Sequence, residues 1–186
     1  MKKFLFFSWE VIKMVVISLA IVLPIRYFLI QPFYVKGASM EPNFHDREYL
    51  IIDEISYRFN QPQRGDIVVF RYPYDPQEFF IKRIIGLPGE EVQIRDGGVL
   101  IFNQEHPDGW RLPEPYLDEG VKTFAYNEQR VKVADGYYYV LGDNRLASKD
   151  SRSFGPVARS YFIGLVFLRG WPLDKAGVFR ATQYNF

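Results

Sequence analysis

The sequence predicts a mainly β, sheet-rich domain preceded by one N-terminal transmembrane helix. Three observations lead there: an apolar run near the start, short β-branched and aromatic runs after it, and glycine or proline turn signals between those runs. With 186 residues, 48% of them hydrophobic and 18% aromatic, the chain suits one domain of ordinary size plus an anchor.

The anchor comes first. From Phe4 to Ile25 the chain is almost entirely apolar, and Met14 to Ile25 carries no charge. Extended to Ile30, the run matches the roughly 20 residues that a spanning helix needs. Glu10 and Lys13 stand at helical i,i+3 spacing and can partly neutralise each other, while Arg26 can reach the interface. Pro24 falls in the last turns, where membranes tolerate a kink. A buried core helix and a cleaved secretory signal are the alternatives. Cleavage after Ala38 would put Lys36 where a small residue is required, which favours a retained segment. Lys2, Lys3 and Lys13 predict a cytoplasmic N-terminus, with Trp9, Tyr27 and Phe28 at interfacial positions. Residues 1–30 are thus read as cytoplasmic N-terminus and anchor, and 31–186 as an extracytoplasmic domain.

In that domain the predicted strands are Tyr49–Asp53, Asp66–Phe70, Glu78–Ile85, Glu91–Ile94, Val99–Phe102, Tyr137–Leu141 and Phe162–Leu168. Asp96-Gly97-Gly98 is a hairpin signal because glycine takes positive φ without steric cost. Residues 103–135, rich in proline, glycine and charge, read as an inserted excursion between two core strands. No repeat period is visible.

Composition narrows the chemistry. The 23 basic and 22 acidic side chains leave a net charge of +1, so no overall field draws in nucleic acid. Cysteine is absent, which removes disulfides and thiol nucleophiles. His45 and His106 are the only histidines, a poor supply for a Ser-His triad or a multi-histidine metal site. No metal or organic cofactor is expected, since neither a ligand cluster nor a phosphate-binding glycine loop is present.

Three segments carry the functional reading. Gly37-Ala38-Ser39-Met40-Glu41-Pro42 sets a serine between a flexible glycine and a stiffening proline; alone it reads as a turn. Phe80-Ile81-Lys82-Arg83 sets a lysine among apolar neighbours on a strand, where alternation sends it to the face opposite Ile81 and Arg83. Such a lysine usually faces solvent, but burial would depress its pKa and let a neutral amine accept the proton of Ser39. Gly142 to Arg152 is a dense polar loop. There Asp143, Asp150, Arg145 and Arg152 provide matched charges, and Ser148 could hydrogen-bond an amine.

Together SMEP with Ser39, RGDIVVF with Asp66, FIKRIIGLPGE with Lys82, and GDNRLASKDSR with Asp143 and Arg152 resemble the signature boxes of the type I signal peptidases, the Ser-Lys family S26, of bacterial type. The resemblance runs from the membrane segment to Trp171. It implies a β-barrel-like, sheet-rich catalytic domain and a membrane-bound endopeptidase that removes signal peptides after a small-x-small motif. It makes Ser39 the nucleophile, whose own N–H is an oxyanion donor, Lys82 the general base, and Ser148 the hydroxyl that positions the amine. It also makes Asp150–Arg152 a supporting salt bridge, with Asp143, Asn144 and Arg145 shaping the loop. Gly37 stands where some members add a serine hydroxyl as a second oxyanion donor. Leu146-Ala147 departs from the polar residues often found there.

Phe33, Val35, Met40, Phe80 and Ile81 are the candidate substrate pocket residues. Secretory preproteins and membrane lipid are the expected partners, and a monomer is expected. The alternatives are a specialised Ser-Lys processing protease, or a catalytically silent, membrane-tethered β-domain that binds extended peptides. A self-cleaving repressor of similar logic is disfavoured because the membrane segment stands where a DNA-binding module would be.

Overall fold

The computed structural model describes residues 2–28, 30–179 and 184, without the side chains of residues 2–5 and 24–31. Helix α1 (Lys2–Phe28) matches the apolar run. Its window Phe6–Leu23 has a mean hydropathy of 2.1 and no buried residue, unlike a core helix. Glu10 and Lys13 form the expected ion pair at 2.7 Å. The side chains of Lys2, Lys3, Pro24, Arg26, Tyr27 and Phe28, on which the orientation, kink and interface expectations fall, lie outside the described residues.

The body is antiparallel sheet. Strands β1 (Ile30–Tyr34), β2 (Tyr49–Asp53), β3 (Ile67–Tyr72), β4 (Asp75–Gly86), β9 (Tyr137–Leu141), β10 (Val157–Ala158) and β11 (Phe162–Trp171) form one sheet in the order β1-β2-β11-β3-β4-β9-β10, with β12 (Gly177–Val178) on β11. A smaller sheet takes β5 (Glu91–Arg95), β6 (Gly98–Phe102), β7 (Trp110–Arg111) and β8 (Val131–Lys132) in the order β7-β6-β5-β8. Each predicted strand is present within a few residues of its expected bounds. Strand β1 was not predicted: it carries Pro32, which has no N–H to donate, and it lies on the sheet edge where that loss is tolerated. Asp96 and Gly97 both take positive φ, 52° and 73°, as a tight hairpin between β5 and β6 requires.

The chain buries both faces of β3. Ile67 and Val69 join a core with Val35, Met40, Phe44, Leu50, Ile52 and Val166, whereas Val68 and Phe70 join Tyr57, Ile84, Tyr138, Val140, Val157 and Phe162. That two-sided burial explains why β3 reads as a continuous apolar run rather than an alternating one. A third core joins the two sheets through Ile85, Val92, Ile94, Val99, Ile101, Leu112, Val133, Tyr139 and Leu141. Residues 103–135 therefore do more than loop out. They supply β7 and β8 to the edges of the small sheet, and Leu112 and Val133 to its core.

Candidate active site

Ser39 sits in the turn that joins β1 to β2. Val35 N–H donates to Glu48 O at 2.9 Å and Arg47 N–H to Val35 O at 3.0 Å, closing the base of this loop. Gly37, at φ 93°, makes the reversal that a residue with a Cβ would resist, and its N–H donates to Asp46 Oδ1 at 2.8 Å. Met40 and Phe44 are both buried in the core and pull the loop inward. Ser39, half-buried, is left facing a groove, and its carbonyl accepts from Asn144 N–H at 3.1 Å. Asn144 Nδ2 also donates to Ala38 O at 3.1 Å, so one residue grips the Ala38–Ser39 segment twice, once through its backbone and once through its side chain.

Lys82 enters from β4. It is 3% exposed, and its Nζ donates to Ser39 Oγ at 2.7 Å and to Ile81 O at 2.8 Å. The Phe80 ring lies 5.1 Å from the ammonium. Burial holds the Lys82 pKa down to about 8; the nearby carboxylates of Asp150 and Asp143 raise it, and Arg152 lowers it. The β3–β4 register sets Lys82 opposite Val68, whose side chain is wholly buried. This is why the strand lysine lacks the usual exit to water.

The third segment closes the site through a set of buried ion pairs. Asp150 accepts from Arg152 Nε at 2.8 Å, Arg152 Nη2 at 2.7 Å and Gly142 N–H at 3.0 Å. Asp143 finds its cation on β4: Arg83 Nε and Nη2 donate to its two oxygens at 2.9 and 2.7 Å. Asn43 Nδ2 donates to the same carboxylate at 2.9 Å and to Tyr116 O at 2.8 Å. Arg145 turns away to Glu114, at 2.9 Å from Nη1 to Oε2, so it does not pair with Asp143 or Asp150. Sequence reading did not find Arg83, Asn43 or Glu114. Each pairs with a residue distant in the chain; Arg83, beside Lys82, and Asn43, directly after the SMEP box, stood near a recognisable signal, and Glu114 did not. Ser148 Oγ is buried, with no hydrogen-bond partner among the described residues, and makes no bond to Lys82 there.

A groove of about 600 Å³ runs to the Ser39–Lys82 contact, lined by residues 33–36 on one side and 77–82 on the other. Phe33, Val35, Phe80 and Ile81 line it as expected, while Met40 does not. Met40 is a correction with a simple cause: it follows Ser39 in a tight turn, so when Ser39 faces the groove Met40 is directed into the core. The two histidines stand apart from this contact, His45 beside Glu41 and His106 stacked on Trp110. Among the described residues no cluster of three or more His, Asp or Glu side chains is placed to hold a metal ion.

The profile of the family described as signal peptidase, peptidase S26, matches residues 8–171. The chain belongs to this S26 signal peptidase family. A probable signal peptidase I-2 of Synechocystis is 40% identical over 178 residues, covering 92% of this chain and 77% of that protein. Signal peptidase I of Leptolyngbya laminosa is 39% identical, covering 90% of this chain and 82% of its own. Signal peptidase IB of a Staphylococcus aureus strain is 31% identical and covers 92% of both chains. The protein is accordingly a hydrolase of peptide bonds.

In this peptidase, the arrangement around Ser39 provides a hydroxyl, an amine of lowered basicity, and a backbone N–H at Ser39 that donates no hydrogen bond among the described residues. These are the parts that acyl transfer needs: nucleophile, base and oxyanion donor.

Proposed function

We propose that the protein is a membrane-anchored serine endopeptidase that removes signal peptides from secretory preproteins after a small-x-small motif, with Ser39 as nucleophile and Lys82 as general base. The observation that carries this reading is the 2.7 Å contact between Lys82 Nζ and Ser39 Oγ in a site that buries the lysine. A silent peptide-binding domain would have no use for a lysine kept out of water at that distance from a serine.

Neutral Lys82 takes the proton of Ser39 as Oγ attacks the scissile carbonyl carbon, and the Ser39 N–H stabilises the oxyanion. The tetrahedral intermediate collapses, the peptide C–N bond breaks, and Lys82 returns the proton to the leaving amine. Water then attacks the ester. Lys82 takes its proton and delivers it to Ser39 Oγ as the acyl group leaves, restoring the enzyme. Asp150, Arg152, Asp143, Asn144 and Arg145 act as positioning residues. In this reading Ser148 turns its hydroxyl to the lysine once substrate fills the groove.

An extended peptide lies in the groove between residues 33–36 and 77–82, its alternate side chains against Phe33, Val35, Phe80 and Ile81. Residues 1–30 form the cytoplasmic N-terminus and anchor, and 31–186 work on the outer face of the membrane, where enzyme and tethered substrate share one surface. Cleavage of a signal-peptide-bearing preprotein in detergent, by wild type, Ser39→Ala and Lys82→Ala, tests the reading. Wild type is expected to cut after the small-x-small site and each variant to lose at least about 10³-fold in rate. Equal cutting by all three would place the activity elsewhere.

A further inference from the structure

Beside the catalytic groove lies a second hollow of about 480 Å³, lined among others by Phe124, Tyr126, Leu146, Ser148, Lys149 and Arg152. Leu146, Phe124 and Tyr126 are 84%, 60% and 95% exposed. Single exposed apolar residues need no explanation, but three around one depression do. Leu146 also belongs to the Leu146-Ala147 pair that departs from the polar character of this loop.

Two contacts fix this hollow next to the dyad. Lys149 lines both depressions. Ser148, in the wall of the second, abuts the same side of Gly142 as the Ser39 carbonyl: a Cβ on Gly142 would meet Ser148 Oγ at 2.1 Å and Ser39 O at 2.5 Å. The rim is held in place, since Phe124 O accepts from Arg152 Nη1 at 3.1 Å. The guanidinium groups in the lining are already paired, Arg145 with Glu114 and Arg152 with Asp150. What the hollow offers a ligand is therefore apolar surface, with Lys149 at the junction.

A peptide seated in the groove with its scissile carbonyl at Ser39 must continue past the dyad, and this hollow adjoins the groove through Lys149, which lines both. We propose that the Phe124–Tyr126–Leu146 hollow receives the first residues C-terminal to the scissile bond and favours a large apolar side chain among them. The inference rests on the Ser39–Lys82 peptidase reading and assigns a substrate-selecting role to part of the 103–135 excursion.

The test uses the full-length protein in detergent micelles and peptides identical up to the scissile bond. They carry Ala, Leu, Phe or Glu at the second and third positions after it. Wild type is expected to show kcat/KM about fivefold to twentyfold higher for Leu or Phe than for Ala, mainly through KM. Leu146→Ser combined with Phe124→Ser is expected to bring that ratio within twofold of unity while the Ala peptide is cut at the wild-type rate. Leu146→Lys, a second variant at an exposed position that folding does not need, is expected to shift preference toward the Glu peptide. No preference in wild type, an unchanged ratio in the variants, or equal loss on all peptides including Ala would overturn the proposal. Wild type that cuts none of the peptides would remove the peptidase reading and this inference with it.

Discussion

A lysine held in a protein interior costs stability whenever it carries its proton, because burial penalises the charged form. For Lys82 the sign can be worked through. The unfolded lysine titrates near 10.4 and the folded one at about 8. Between those values the unfolded chain binds more protons, so stability rises with pH; below about 8 the whole penalty is present. Lys82→Met is therefore expected to be more stable than wild type at pH 7, by roughly 1–3 kcal/mol, with the gain shrinking toward pH 10.5. Thermal unfolding at the two pH values checks this, and an equal difference at both would contradict it. Asn144 offers a second test. Its backbone N–H holds the Ser39 carbonyl and its side-chain Nδ2 the Ala38 carbonyl; Asn144→Ala removes only the second bond and is expected to lower kcat about tenfold with little change in KM, measured by steady-state peptide cleavage. The pairing of Ser39 with Lys82 was expected from the sequence because their flanking residues resemble family boxes, and the two side chains are in contact. Met40 was misjudged because closeness to Ser39 in the chain does not show which neighbour of a turn residue faces the core, and Asn43 was missed because its contact with Asp143 spans 100 residues.

At the scale of elements, the loop after β9 depends on the smallness of Gly142. With Ser148 Oγ and Ser39 O already on the space a Cβ would take, Gly142→Ala must displace the nucleophile segment or the loop. A loss in kcat of about 10²-fold is expected together with a destabilisation of about 1–3 kcal/mol, read by cleavage assay and denaturant unfolding together. The 103–135 segment enters the same neighbourhood through Glu114, whose partner Arg145 has a fully buried side chain. Glu114→Ala leaves that guanidinium uncompensated and is expected to cost about 3–5 kcal/mol, measured by denaturant unfolding. β-branched and aromatic runs with turn chemistry between them sufficed for β2, β9 and the β5–β6 hairpin, since local residues determine them. The two-residue strands β7 and β8 were hidden because their pairing with β6 and β5, rather than any periodicity of their own, defines them.

For the whole molecule, the proposed function joins an anchor and a catalytic domain across the membrane surface. The apolar α1 was the most legible element, since length and absence of charge depend on no tertiary contact. The proposed orientation, with the N-terminus in the cytoplasm, rests on the basic residues at its N-terminal end. Protease added to the cytoplasmic side of sealed vesicles is expected to leave residues 31–186 intact, and cleavage within them would reverse the orientation. The dyad at the centre of the account carries its own pH signature, because only neutral Lys82 can take the proton of Ser39. The most direct measurement is kcat/KM for a short signal-sequence peptide from pH 6 to pH 10, with the fold monitored at each point. The expected profile rises with unit slope and levels off through an inflection near 8; a flat profile, or one still rising to the ordinary lysine value near 10.4, would contradict the assignment of Lys82 as a base made competent by burial.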